Sequence, residues 1–95
     1  MNVLLVMNLP PELEEDMVDY LLSVDLGGFT SYLTRGHGSQ GDLSIAEQVS
    51  GRRQRLQFEI LLEEGNVDQL LAGLEPSVGK DIIYWVQPVS RRGRV

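Results

Sequence analysis

Two strand–helix–strand patterns follow one another along the chain, joined by one long connection, and that order leaves few folds open. NVLLVMNL (2–9) is a short, almost unbroken apolar run, which suits a strand buried on both faces. Pro10 and Pro11 stop it and pre-set a helix start. Leu13, Met17, Tyr20, Leu21 and Val24 then keep helical spacing, with acids in the first turn where the helix dipole favours them. After Gly27-Gly28, FTSYLT (29–34) alternates as a strand. So does 56–62, with Leu56, Phe58, Ile60 and Leu62 on one side. Asn66 is placed to cap a second helix carrying Val67, Leu70, Leu71 and Leu74, and Pro76 and Gly79 should break it. DIIYWVQPV (81–89) reads as the last strand.

The predicted fold is α+β and ferredoxin-like: a βαββαβ order, a four-stranded antiparallel sheet, two helices on one face, and a long loop between strands two and three. Right-handed crossovers make the first two strands run one way and the last two oppose them. The long loop, the start of the first helix and the Gly79-Lys80 turn then share one end of the sheet. The tail (90–95) leaves from the other. One sheet face has no helices, yet strand one is apolar at Leu4 and Val6 as well as at Val3, Leu5 and Met7. The last strand likewise sets Ile83 and Trp85 opposite Ile82, Tyr84 and Val86. A monomer would show the second set to water as a large apolar patch, so an oligomer is expected.

The connection, RGHGSQGDLSIAEQVSGRRQRLQF (35–58), far exceeds what a hairpin needs, and loops of that length are usually functional or disordered. Ser44 and Glu47 stand at capping-box spacing, with Gly51 as a stop, which predicts a short helical turn. Gly36, Gly38 and Gly41 permit positive φ. Arg35, Arg52, Arg53 and Arg55 gather at the two feet, so the stretch reads as a recognition loop.

Composition narrows the function. Ninety-five residues make one domain with a modest core. No stretch approaches the apolar length of a membrane span, and no signal-type run opens the chain. The absence of cysteine excludes disulfides and thiolate metal sites, so a cytoplasmic location is expected. A net charge of −6 argues against nucleic acid as a partner. Ser39, Ser44 and Ser50 have no histidine–acid pair to form a triad, and the glycine-rich stretch is not a P-loop, so no enzyme is expected.

Arg52, Arg53 and Arg55 offer bidentate geometry for phosphate or carboxylate. They could equally pair with Glu47 or with acids of the first helix. His37, the only histidine, reads as an exposed loop residue between glycines. It reads alternatively as a zinc, copper or nickel ligand, completed by other copies of the chain or by a carboxylate. Ile45 and Val49, flanking Glu47, would form one side of the loop turn, as a partner-docking face does, or pack back on their own subunit. Met7 and Met17 fall on core-facing positions.

GHGSQ (36–40) stands where PII proteins carry a Gly-x-Gly-x-Gln pattern at the entry to a long mobile loop. LQFEILLEEGNVDQLLAGL is similar to the PII strand–helix segment, and VGKDIIYWVQPV to the turn and strand that follow. Over nearly its whole length the chain resembles the PII-like proteins, trimeric ferredoxin-like sensors that include nitrogen-regulatory PII. GHG, LSIAEQVSGRRQRLQF and the ending YWVQPV resemble more closely a small uncharacterised PII-like family, often encoded beside heavy-metal efflux systems. The resemblance implies a homotrimer whose 36–52 loop responds to a small ligand and docks on a partner, such as a membrane transporter or regulatory protein. It carries over Gln40, Lys80, Arg92 and Arg94 as anion-site candidates, beside Gly36, Gly38, Arg52 and Arg53 at the loop base. PII proteins bind ATP or ADP with a longer glycine-rich turn and an Arg-x-Arg tail. This chain has Val78-Gly79-Lys80-Asp81 and Arg92-Gly93-Arg94, so fewer backbone N–H groups can surround a phosphate. Nucleotide is expected to bind weakly or not at all, leaving a smaller anion or a metal ion. The alternative is a metal-responsive role like that of CutA-type relatives, tied to heavy-metal tolerance, with His37 as principal ligand.

Overall fold

A computed structural model describes residues 1–37 and 53–95. Strands β1 (Asn2–Leu9), β2 (Phe29–Gly36), β3 (Arg53–Glu63) and β4 (Ile83–Pro88) form one sheet in the order β2-β3-β1-β4. Every neighbouring pair is antiparallel, so β1 and β2 run one way and β3 and β4 the other. Helix α1 (Glu14–Val24) joins β1 to β2. Helices α2 (Val67–Ala72) and α3 (Leu74–Ser77) join β3 to β4. This is the predicted ferredoxin-like βαββαβ arrangement.

The core follows from strand parity. Val3, Leu5, Met7 and Leu9 of β1 and Leu56, Phe58, Ile60 and Leu62 of β3 all point to the helix side, where they meet Met17, Leu21, Leu70 and Leu74 in one buried cluster. Each such side chain contributes about 1.5–3 kcal/mol by leaving water. Phe29 adds a tilted ring contact to Phe58, with centroids 6.0 Å apart. Helix α1 ends in a left-handed residue, Asp25, with φ 51°, whose N–H donates to the Leu21 carbonyl.

Four expectations need correction. First, β2 and β3 run further than their apolar alternation suggests, with Thr34, Arg35 and Gly36 pairing with Arg55, Gln54 and Arg53. The long connection is therefore 37–52 rather than 35–58. Polar residues at those positions hid the pairing, although the backbone ladder does not depend on side-chain polarity. Second, Asn66 makes no side-chain cap; its φ −93° and ψ −8° are helical, and a one-turn 3-10 helix (Glu64–Asn66) leads into α2 instead. Third, the break after α2 falls at Gly73, where the Tyr20 hydroxyl packs and donates to the Leu70 carbonyl at 2.7 Å. A Cβ at Gly73 would overlap that hydroxyl. Pro76 sits inside α3, in a first turn where a missing N–H costs nothing. Fourth, β4 begins at Ile83 rather than Asp81, because Asp81 has φ 64° and belongs to the preceding turn.

The helix-free face is less bare than its sequence implies. Val6 is only 1% exposed there and Leu4 is half-buried, while Trp85 on the edge strand remains 41% exposed.

Candidate functional site

The end of the sheet that carries the long connection is built around one buried cation. Arg55 alternates with Leu56 and so projects from the helix-free face, where it is nevertheless only 2% exposed. Its Nε donates to Asn8 Oδ1 at 2.6 Å and its Nη2 to the Asn8 carbonyl at 2.7 Å. Nη1 donates to Asp81 Oδ2 at 2.9 Å, and Nη2 also reaches the Asp81 carbonyl at 2.9 Å. A buried guanidinium needs such partners, because an unpaired charge away from water is strongly unfavourable. The left-handed backbone of Asp81 presents carbonyl and carboxylate to the same fork. Three elements are thereby tied together: the end of β1, the strand leading out of the long connection, and the Val78–Asp81 turn.

From this clamp a line of hydrogen bonds crosses the helix-free face. Asn8 Nδ2 donates to Gln57 Oε1 at 3.3 Å and to Thr34 Oγ1 at 3.4 Å, and the Thr34 hydroxyl donates to the Arg55 carbonyl at 3.3 Å. Gln57 Nε2 donates to the Tyr32 hydroxyl at 2.7 Å, which in turn donates to Glu59 Oε2 at 2.7 Å. Donors follow acceptors in one direction, from the guanidinium to the carboxylate, so each bond polarises the next. The hydrogen bond to Glu59 holds the Tyr32 phenol above its usual range, aided by desolvation and by the Glu59 charge, while the Gln57 contact opposes it.

The expected site residues divide between the two ends. Gly36 closes β2 opposite Arg53, the first residue of β3, and His37 follows Gly36 as an exposed residue. Lys80 is exposed on the neighbouring turn, its Nζ 3.7 Å from Glu75 Oε1. Two such solvated side chains gain little from pairing, so Lys80 remains free to meet an anion. Arg92 lies at the other end of the sheet, in a cleft with Leu4, Gly28, Glu59 and Leu61, and Arg94 is exposed further along the tail. One chain therefore brings Gly36, His37, Arg53 and Lys80 to one end but does not bring Arg92 to them. Gly38, Gln40, Ile45, Glu47, Val49 and Arg52 lie outside the described residues, as does the Ser44 capping box.

Arg55, expected at the loop foot as a ligand for phosphate or carboxylate, is held by Asn8 and Asp81 of its own chain instead, with Nη1 on the Asp81 carboxylate. Sequence reasoning missed Asn8, Asp81, Tyr32, Gln57 and Glu59 as one network. The alternation of Arg55, Gln57 and Glu59 with Leu56, Phe58 and Ile60 was the available signal, since it sets the polar residues on one face. Among the described residues no three His, Cys, Asp or Glu side chains are grouped to hold a metal ion, and no helix is long and apolar enough to cross a membrane.

No functionally curated protein matches the chain. A DUF3240 family protein from Shewanella baltica OS155 is 24% identical, with 99% of this chain and 96% of that one aligned at a TM-score of 0.79. PII from Arabidopsis thaliana, solved bound to citrate, is 18% identical, with 99% of this chain and 80% of that one aligned at a TM-score of 0.75. At these identities the likeness shows the fold, and the fold is PII-like. Residues 1–95 match the family described as "Protein of unknown function (DUF3240)", and the chain belongs to that family.

Proposed function

We propose that this protein is a regulatory binding module rather than an enzyme, a cytoplasmic homotrimer in which a small ligand orders the 36–52 loop and thereby alters docking on a partner protein. The Arg55 clamp carries the reading. It fastens the strand that leaves the loop to the turn bearing Lys80, so the two elements able to contact a ligand at this end move as one. The PII-like fold supports a binding role of this kind. Order–disorder of a segment is a standard switch, provided the ligand binds one loop state better than the other.

Lys80 and the loop-foot arginines Arg52 and Arg53 favour an anion, with an affinity that weakens as salt rises. Gly36, Gly38 and Gln40 would contribute from the loop base, and Arg92 and Arg94 only from a neighbouring copy. The short turn at Val78–Asp81 offers few amides for a triphosphate, so ATP and ADP bind weakly in this reading. Citrate bound to the Arabidopsis protein adds small carboxylates to the ligands worth testing. A membrane transporter or a regulatory protein is the proposed partner, met by Ile45, Glu47 and Val49. A metal-responsive role would place His37 at the ligand position, with its remaining ligands supplied by the loop or by other copies.

Hydrogen exchange over residues 37–51 tests the switch, with citrate, phosphate, bicarbonate, ADP, ATP and Cu²⁺ as probes. At least one should slow exchange in that segment; unchanged protection with all of them ends the reading. Sedimentation equilibrium should give the mass of a trimer, and a monodisperse monomer would refute the assembly.

A further inference from the structure

The helix layer has a hollow of its own, where the last turn of α1 passes the start of α2. Tyr20 and Val24 of α1, Leu26 just beyond it, and Asn66, Gln69 and Leu70 enclose about 260 Å³. Tyr20, Val24 and Leu26 pack on the core and Leu70 belongs to it, so the hollow lies on the helix side of the sheet. Other copies of the chain are expected to cover the opposite, helix-free face, which leaves the hollow open in the proposed trimer. Among the described residues no charged side chain lines it. Its polar groups are a phenol and two carboxamides. The Tyr20 hydroxyl is committed as a donor to the Leu70 carbonyl at 2.7 Å, so its oxygen can still accept. Burial pushes that phenol up and keeps it neutral. Asn66 makes no helix cap, and among the described residues neither its side-chain amide nor that of Gln69 has a hydrogen-bond partner.

We propose that this hollow is a second ligand site, separate from the loop end, and that it takes a neutral, planar heterocycle with a lactam edge. A lactam sets one N–H beside one carbonyl. A primary carboxamide offers the complementary pair, a carbonyl and an NH₂, in the bidentate manner in which Asn and Gln read a base edge. Asn66 and Gln69, three residues apart, present two such groups from one side of the hollow. The Tyr20 oxygen is placed to accept a further N–H, and the ring lies against Val24, Leu26 and Leu70. The volume falls below the roughly 300–1,000 Å³ usual for drug-sized ligands, so it suits a single ring. With no cation in the lining and a net charge of −6 on the chain, an anion is disfavoured here.

Amide NMR titration of the full chain with uracil, which carries two lactam edges, is the test. It is run beside 1,3-dimethyluracil, which keeps the ring and both carbonyls but has no N–H, and orotate, which adds a carboxylate. Uracil should shift the amides of 24–26 and 66–70 and bind at least tenfold more tightly than either. Asn66→Ala and Gln69→Ala should each weaken uracil at least fivefold and leave 1,3-dimethyluracil unchanged. Neither side chain holds a bond in the fold, so both variants should stay folded. Uridine keeps one edge and carries a ribose at N1, so its affinity relative to uracil tells a nucleoside from a free base as the source of that edge. The proposal is overturned if millimolar uracil shifts none of these amides, if uracil, 1,3-dimethyluracil and orotate bind alike, or if both alanine variants bind uracil like wild type. Loop exchange at 37–51 is a separate readout, so either site can fail without the other.

Discussion

The two faces of the sheet exclude water by different means. On the helix side, Val3, Leu5, Met7 and Leu9 are buried because α1 and α2 lie over them, and area removed from water accounts for the stability. On the other side no helix covers β1, yet Val6 and Arg55 are as buried as the core. There a guanidinium with four hydrogen bonds to Asn8 and Asp81 closes one end of the face, and a polar line continues from it. Nonpolar burial tolerates some repacking, whereas a buried charge depends on every partner being present. The helix-free face should therefore be the less forgiving to a change of chemistry, and the covered face the less forgiving to a change of volume.

Truncation on the covered face should have the largest effect. Phe58→Ala removes a fully buried ring in contact with Phe29, and urea denaturation should show a loss of about 3–5 kcal/mol. A loss below about 1 kcal/mol would mean that the two layers do not pack as described.

Arg55→Met comes next and addresses the other face. It keeps much of the volume but strips Asn8 Oδ1, the Asn8 carbonyl and Asp81 of their donor. Because Asp81 is 45% exposed and can rehydrate, the expected cost is about 2–3 kcal/mol, less than for a fully enclosed pair. Arg55→Lys should fall between wild type and Arg55→Met, as it keeps the charge but loses the fork. A Met variant as stable as wild type would remove the clamp from the account. Amide exchange near residues 79–82 should rise in either variant before global unfolding does.

The smallest effect concerns Tyr32, on the exposed stretch of the polar line. Its raised phenol pKa means the folded state holds that proton more tightly than the unfolded chain. The stabilisation is therefore present below the ordinary tyrosine range and lost as pH climbs through the folded value. Ultraviolet titration should show two tyrosines ionising late, Tyr20 raised by burial and Tyr32 by its bond to Glu59; one of them should be absent from Tyr32→Phe and shifted downward in Glu59→Gln. An unshifted titration in Glu59→Gln would show that the Tyr32–Glu59 bond does not persist in solution.

Much of the fold was legible because periodicity survives without tertiary knowledge. Leu56, Phe58, Ile60 and Leu62 announce a one-sided strand, and Leu13, Met17 and Leu21 a helix stripe, whatever they pack against. Boundaries were legible only where apolar residues marked them. Arg35 and Gly36 join β2 through backbone pairing with β3, and the Asp81 turn delays β4 through a left-handed φ. Neither leaves a mark in hydropathy. The candidate loop end was legible as a cluster of arginines, but which arginine is structural was not, since Arg52, Arg53 and Arg55 look alike in the chain.

What the sequence determined alone is the βαββαβ order, the strand directions and the residues of the core, because side-chain alternation and crossover handedness act locally or without exception-prone geometry. What only the tertiary structure decided is who neighbours whom across strands. Asn8, Arg55 and Asp81 are separated by 47 and 26 residues, and their meeting depends on register and on one turn. Register also put Glu59 beside Tyr32 and set Leu4 against Leu61. The physical reason is that a hydrogen bond or ion pair requires atoms within about 3 Å, a precision that only the assembled sheet provides.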